Sequence, residues 1–130
     1  MSKYQFRVEV SPRFLPEQSA PERGMYVFAY TVSIRNVGAV PAQLISRTWN
    51  VNDANGHTER VKGLGVVGEQ PLLKPGEVFE YTSGTRLRTP TGTMHGSFFC
   101  VAEDGEKFDT DIPMFVLDAL SAAGGTRTLH

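Results

Sequence analysis

The most suggestive chemistry in this chain is carried by glycines. Gly63-Leu64-Gly65-Val66-Val67-Gly68 spells G-x-G-x-x-G, the pattern that brings backbone N–H groups up to a pyrophosphate at the start of a helix. That chemistry needs a helix directly after the glycines, and here Pro71 and Pro75 follow within the stretch Glu69 to Gly76, which forbids a regular helix. An acidic residue is expected about 20 positions further on; Arg88 stands there. The same residues fit the G-x-x-x-x-G half of a P-loop, but Glu69 and Gln70 replace its Lys and Ser or Thr. The glycines therefore read as a tight, exposed loop whose backbone geometry requires them. The other reading is an anion nest without a helix, with Gly63, Gly65 and Gly68 as its ligand-binding positions. Leu64, Val66 and Val67 are unlike the polar neighbours of a phosphate site. They suit docking on another protein or tucking into the sheet, and are the candidate partner-binding residues.

No other group of residues assembles a reaction. His57, His95 and His130 are not at zinc-ligand spacing. Cys100 and His95 are five apart on one expected strand and so face opposite sides; Cys100 reads as buried. No serine sits in a G-x-S-x-G elbow. Glu103, Asp104, Glu106, Asp109 and Asp111 crowd one hairpin, and oxygen-rich clusters can hold Mg²⁺ or Ca²⁺, but a solvated strand face interrupted by Lys107 is the simpler meaning. Arg47, the one charge on the Ile45–Val51 face, is expected to snorkel out of it, with Trp49 beside it in the core. Arg86 and Arg88 approach Arg60 and Lys62 only if two sheets bring them together. No catalytic residue, metal site or cofactor is expected.

The elements that would position these residues are strands. Tyr4, Phe6, Val8 and Val10 alternate with polar residues, as do Tyr26, Phe28, Tyr30, Val32 and Ile34, the period of a half-buried strand. Ser11 to Gly24, with Pro12, Pro16 and Pro21, reads as a long loop. Ile45, Arg47, Trp49 and Val51 share one face of a third strand. Asp53-Ala54-Asn55-Gly56 turns it into a returning strand, Thr58 to Lys62. Val78 to Ser83 enters through Pro75-Gly76. Met94 to Glu103 and Lys107 to Leu117 form a hairpin around Asp104-Gly105. About seven antiparallel strands without intervening helices predict an all-β, two-sheet sandwich of immunoglobulin or fibronectin type III kind over residues 1–117. Residues 118–130, with little apolar content, are expected to form a flexible C-terminal tail.

Composition narrows the function. The 130 residues carry 13 Lys plus Arg against 14 Asp plus Glu, a net charge of −1; a DNA or RNA binder usually carries a strong basic excess, so no nucleic-acid partner is expected. The single cysteine excludes an internal disulfide and suits a reducing compartment. No uninterrupted apolar run, Met114-Phe115-Val116-Leu117 among them, comes near the roughly 20 residues of a membrane span.

Three stretches together form a denser pattern. They are Ile45-Ser46-Arg47-Thr48-Trp49, then Val61 to Pro71 around the glycines, then Leu73-Lys74-Pro75-Gly76 running on to Tyr81-Thr82-Ser83-Gly84. With Thr89-Pro90-Thr91-Gly92-Thr93-Met94-His95-Gly96 and Ile112-Pro113-Met114-Phe115, the chain from about Tyr4 to Leu117 resembles the ApaG family. The resemblance implies a fibronectin type III-like sandwich in a bacterial cytoplasmic protein. The same domain type looks like a protein-interaction module where it occurs in eukaryotic proteins, and the bacterial family is associated with cobalt resistance and magnesium efflux; with no catalytic constellation in the chain, a non-catalytic binding domain is expected. The resemblance also brings the suggestion of pyrophosphate or nucleotide binding at Gly63, Gly65 and Gly68. The expected partner is another protein, with homo-oligomerisation left open.

Overall fold

The computed structural model describes residues 2–120. Its strands are β1 (Phe6–Phe14), β2 (Tyr26–Asn36), β3 (Ala42–Asp53), β4 (Thr58–Leu64), β5 (Leu72–Leu73), β6 (Val78–Leu87), β7 (Thr91–Ala102) and β8 (Lys107–Asp118). Single 3₁₀ turns, Pro16–Gln18 and Pro21–Arg23, lie between β1 and β2. The strands form two antiparallel sheets, β1-β2-β6 and β4-β3-β7-β8, with β5 paired to β3. The sandwich is as the alternation predicts; the strand beyond the expected seven is the two-residue β5.

Three local readings need correction. β1 does not stop at Val10 but continues through Ser11, Pro12 and Arg13 to Phe14, paired with β2 down to Phe14–Phe28. β1 is an edge strand, so a residue without an N–H fits where its nitrogen faces away from the partner. On β3 a register shift between Leu44 and Ser46 makes Ile45 a bulge residue. Ala42 and Leu44 before it, and Trp49 and Val51 after it, all face the core, while Ile45 is only half-buried. A bulge inserts one residue and so switches the parity of a strand, which strict alternation cannot anticipate. Finally, Asp118 closes β8 and Ala119 is buried; residues 121–130 of the expected tail lie outside the described residues.

The core is aromatic where the sheets meet. Trp49 of β3 packs 5.2 Å from Tyr30 of β2 and edge-on to Phe115 of β8 at 5.9 Å. One side of the sandwich is closed where β1 meets β8, with Phe6 edge-on to Phe108 at 5.6 Å. Just outside, the Tyr4 hydroxyl donates to Asp104 at 2.6 Å and Lys3 lies 3.7 Å from the same carboxylate. On the opposite side the free edges of β4 and β6 face each other without pairing.

Candidate functional site

The glycine loop is a turn built on the end of β4. Val66 and Glu69 exchange backbone hydrogen bonds of 2.8 and 2.9 Å. Between them Val67 and Gly68 have φ of 43° and 83°, the left-handed pair that a two-residue type I′ connection demands. Gly65, also at positive φ (63°), donates its amide to the Ile45 carbonyl at 2.8 Å. Each glycine has its own reason. A Cβ on Gly63 would come within 2.7 Å of the Arg47 guanidinium; one on Gly65 would strike the Glu69 carbonyl oxygen; Gly68 has open space and needs only its φ. The amides of Gly65, Val66 and Glu69 are all engaged by protein carbonyls, so they do not converge on a point outside the chain.

Arg47 and Val66 differ from the sequence reading. Arg47 does not reach for water: its Nη1 donates to the carbonyls of Gly65 at 2.9 Å and Leu64 at 3.1 Å, tying the turn to β3. Gly63 stands opposite it in register, so any side chain there would have to displace the guanidinium. Val66, expected among the partner-binding residues, is 0% exposed and part of the core. The type I′ turn rolls it inward between the sheets. Leu64 and Val67 stay on the surface at 75% and 55% exposure.

Leu64 belongs to a larger apolar surface. It stands opposite Ser46, which stands opposite Phe99; along β3, Leu72 stands opposite Gln43, which stands opposite Val101. Directly opposed residues share a face, so these four side chains occupy the outer face of the larger sheet. Ile45 lies at the bulge between the two rows, and Leu72 is 57% exposed. Asp109 and Lys107, opposite Phe99 and Val101, put charges at the margin. The outer face of the smaller sheet is polar instead: Glu9, Ser33 and Glu80 form one row, Ser11, Thr31 and Thr82 the next. Sequence reading found Leu64 but missed its neighbours, because only the register gathers them.

At the open side, Arg86 and Arg88 line a cleft of about 800 Å³ together with Arg23, His57 and the first residues of β4, Thr58 and Glu59; Arg60 and Lys62 do not line it. Beneath the glycine turn a smaller cavity, about 130 Å³, is lined by Tyr30, Arg47, Trp49, Val66, Val67, Tyr81 and Ser83. Burial holds the Tyr81 phenol far above its ordinary range, with Tyr30 adding and the Arg47 charge opposing. Burial also raises Tyr30, against the neighbouring Ser83 hydroxyl and Arg47. Cys100 is buried and its thiol is pushed up to about 12 by desolvation, which makes it a poor nucleophile. In the acidic hairpin, Asp104 is held below the usual carboxylate range, chiefly by the Tyr4 hydroxyl. Among the described residues no group of three or more His, Cys, Asp or Glu could hold a metal ion, and no helix is long and apolar enough to cross a membrane.

Known proteins match this chain over nearly its whole length. The family profile described as the ApaG domain covers residues 16–102. Protein ApaG of Acidovorax sp. (strain JS42) is 68% identical over 123 residues, 93% of this chain and 90% of its own length. Protein ApaG of Ralstonia nicotianae is 58% identical over 117 residues, 90% of this chain and 94% of that one. The crystal structure described as the ApaA protein of Bordetella pertussis superposes with a TM-score of 0.89 at 53% identity, covering 92% of this chain and 97% of that one. Agreement of this extent, in sequence and in backbone, means that the chain belongs to the ApaG family.

Proposed function

We propose that this domain is a non-catalytic protein-binding module that docks its partner through the outer face of the larger sheet. The observation that carries the reading is the patch of Leu64, Leu72, Phe99 and Val101 around Ile45, apolar on one sheet while the other sheet's outer face is polar. Exposed apolar side chains gathered on one face, with charges at the margin, have the anatomy of an interface. Val67, also exposed, stands in the neighbouring turn. On this reading the family's association with cobalt resistance and magnesium efflux is indirect, exerted on the partner. The alternative, a pyrophosphate or nucleotide held by Gly63, Gly65 and Gly68, has less support, because three amides of that turn already have protein acceptors.

The test compares wild type with the double variant Leu64→Asp, Leu72→Asp, immobilised and exposed to lysate of the native host. Both side chains are exposed, so the melting temperature should change little. Wild type should retain a discrete protein, or a second copy of itself, that the variant loses. Identical proteins retained by both would refute the proposed face. A melting shift with ATP or diadenosine polyphosphate, abolished by Gly68→Ala, would favour the alternative.

A further inference from the structure

We propose that the cavity beneath the Val66–Glu69 turn is a binding site for a single oxyanion group, a phosphoryl or a carboxylate, held by Arg47 and the hydroxyls of Tyr81, Tyr30 and Ser83. The inference is independent of the docking face, since the cavity lies between the sheets. It is also distinct from a ligand held by the turn's amides.

Charge and an orphaned donor carry the argument. Arg47 has a guanidinium with five N–H donors, and the hydrogen bonds it makes leave from Nη1 alone. Among the described residues no carboxylate forms an ion pair with Arg47, and no Asp or Glu lines the cavity. A half-buried cation without a carboxylate beside it favours an anion. The second observation is the Tyr81 hydroxyl, buried without any hydrogen-bond partner. Buried polar groups are nearly always satisfied, and an exception calls for an unseen occupant. Tyr81 stays protonated under any ordinary condition, so it can only donate or accept as a neutral phenol, and donation to an oxyanion fits. Tyr30 and Ser83 stand directly opposite each other on β2 and β6, which brings their hydroxyl groups to the same wall.

Size sets the class of ligand. A volume of about 130 Å³ equals the share of about four water molecules at ~30 Å³ each. That accommodates one phosphoryl or carboxylate group. Buried Trp49 and Val66 line the cavity together with exposed Val67 and half-buried Ser83, so it runs from the core to the surface.

Trp49 is the only tryptophan, so its emission reports on this cavity. Inorganic phosphate and acetate are titrated separately into the intact chain at constant ionic strength, with chloride as reference. The expected result is a saturable change in Trp49 emission with at least one of them. Saturation by phosphate alone assigns a phosphoryl ligand; saturation by acetate alone assigns a carboxylate. Tyr81→Phe should remain folded and bind about tenfold more weakly or worse, the loss expected for a hydrogen bond to a charged group. Ser83→Ala, which removes no core volume, provides the same comparison should Tyr81→Phe not fold. Leu64→Asp should leave the titration unchanged. No saturation with either anion, or binding by Tyr81→Phe and Ser83→Ala indistinguishable from wild type, overturns the proposal.

Discussion

Gly65→Ala should be far more damaging than Gly68→Ala, although both replace a glycine at positive φ in the same turn. At Gly68, φ is 83° and a Cβ meets nothing within 4 Å, so the cost is the left-handed backbone alone, about 1 kcal/mol. At Gly65 the same backbone cost applies, and the new Cβ also strikes the Glu69 carbonyl oxygen. Backbone cannot rotate away as a flexible side chain can, so the turn must open. That loses the paired Val66–Glu69 hydrogen bonds, about 1 kcal/mol each. The sum is about 3 kcal/mol, and it grows if Val66 leaves the core. For a domain of this size 1 kcal/mol moves the melting temperature by roughly 3–5 °C. Gly65→Ala should therefore lose roughly 9–15 °C and Gly68→Ala roughly 3–5 °C. Calorimetry or urea unfolding of the purified variants reads this directly. Equal losses at the two positions would refute the account of the loop as a turn whose glycines answer separate constraints.

Two further outcomes follow from the core. Trp49, 3% exposed, should emit at short wavelength until the protein unfolds, and Trp49→Ala should cost about 3–5 kcal/mol; water-like emission in the native state would contradict its placement. Alkaline stability should fall in a defined window. The Cys100 thiol is raised by burial from 9.0 to about 12, and the Tyr81 and Tyr30 phenols are raised above 10.0 for the same reason. The unfolded groups lose their protons first, so this stability is fully present below about pH 9 and declines as pH rises through the folded values. Urea midpoints followed from about pH 8 to about pH 11 should show the decline, and Cys100→Ala should flatten its onset; a midpoint independent of pH would contradict the burial of these groups.

The sandwich was legible because period-two alternation survives in most strands. Phe28, Tyr30, Val32 and Ile34 are all buried as their spacing predicts. Turn chemistry was equally plain: Gly56, Gly76 and Gly105 each take the positive φ expected of their turns. What alternation could not show is where it breaks. Ile45 is an inserted residue, and its neighbour Leu44 rather than Ile45 itself faces the core. Pro12 looked like the start of a loop because its tolerance depends on β1 being an edge, which is a property of the assembled sheet and not of the segment.

The site was less legible for a related reason: its parts lie far apart in the chain and meet only through register. Gly63 and Arg47 each drew attention separately, one as a phosphate-loop glycine and the other as a snorkelling cation, yet they are opposite one another on paired strands. Taken together they explain each other. The guanidinium occupies the space a Cβ at Gly63 would need, and from there it holds the carbonyls of Leu64 and Gly65. That anchor sets the position from which the type I′ turn drives Val66 into the core. The G-x-G-x-x-G spacing thus arises from an arginine contact, a close backbone approach and a left-handed turn, three requirements that owe nothing to a dinucleotide. The same anchor leaves the rest of the Arg47 guanidinium beside the unpartnered Tyr81 hydroxyl. If an anion does bind to this chain, physical chemistry favours the pocket behind the glycines over the amides within them.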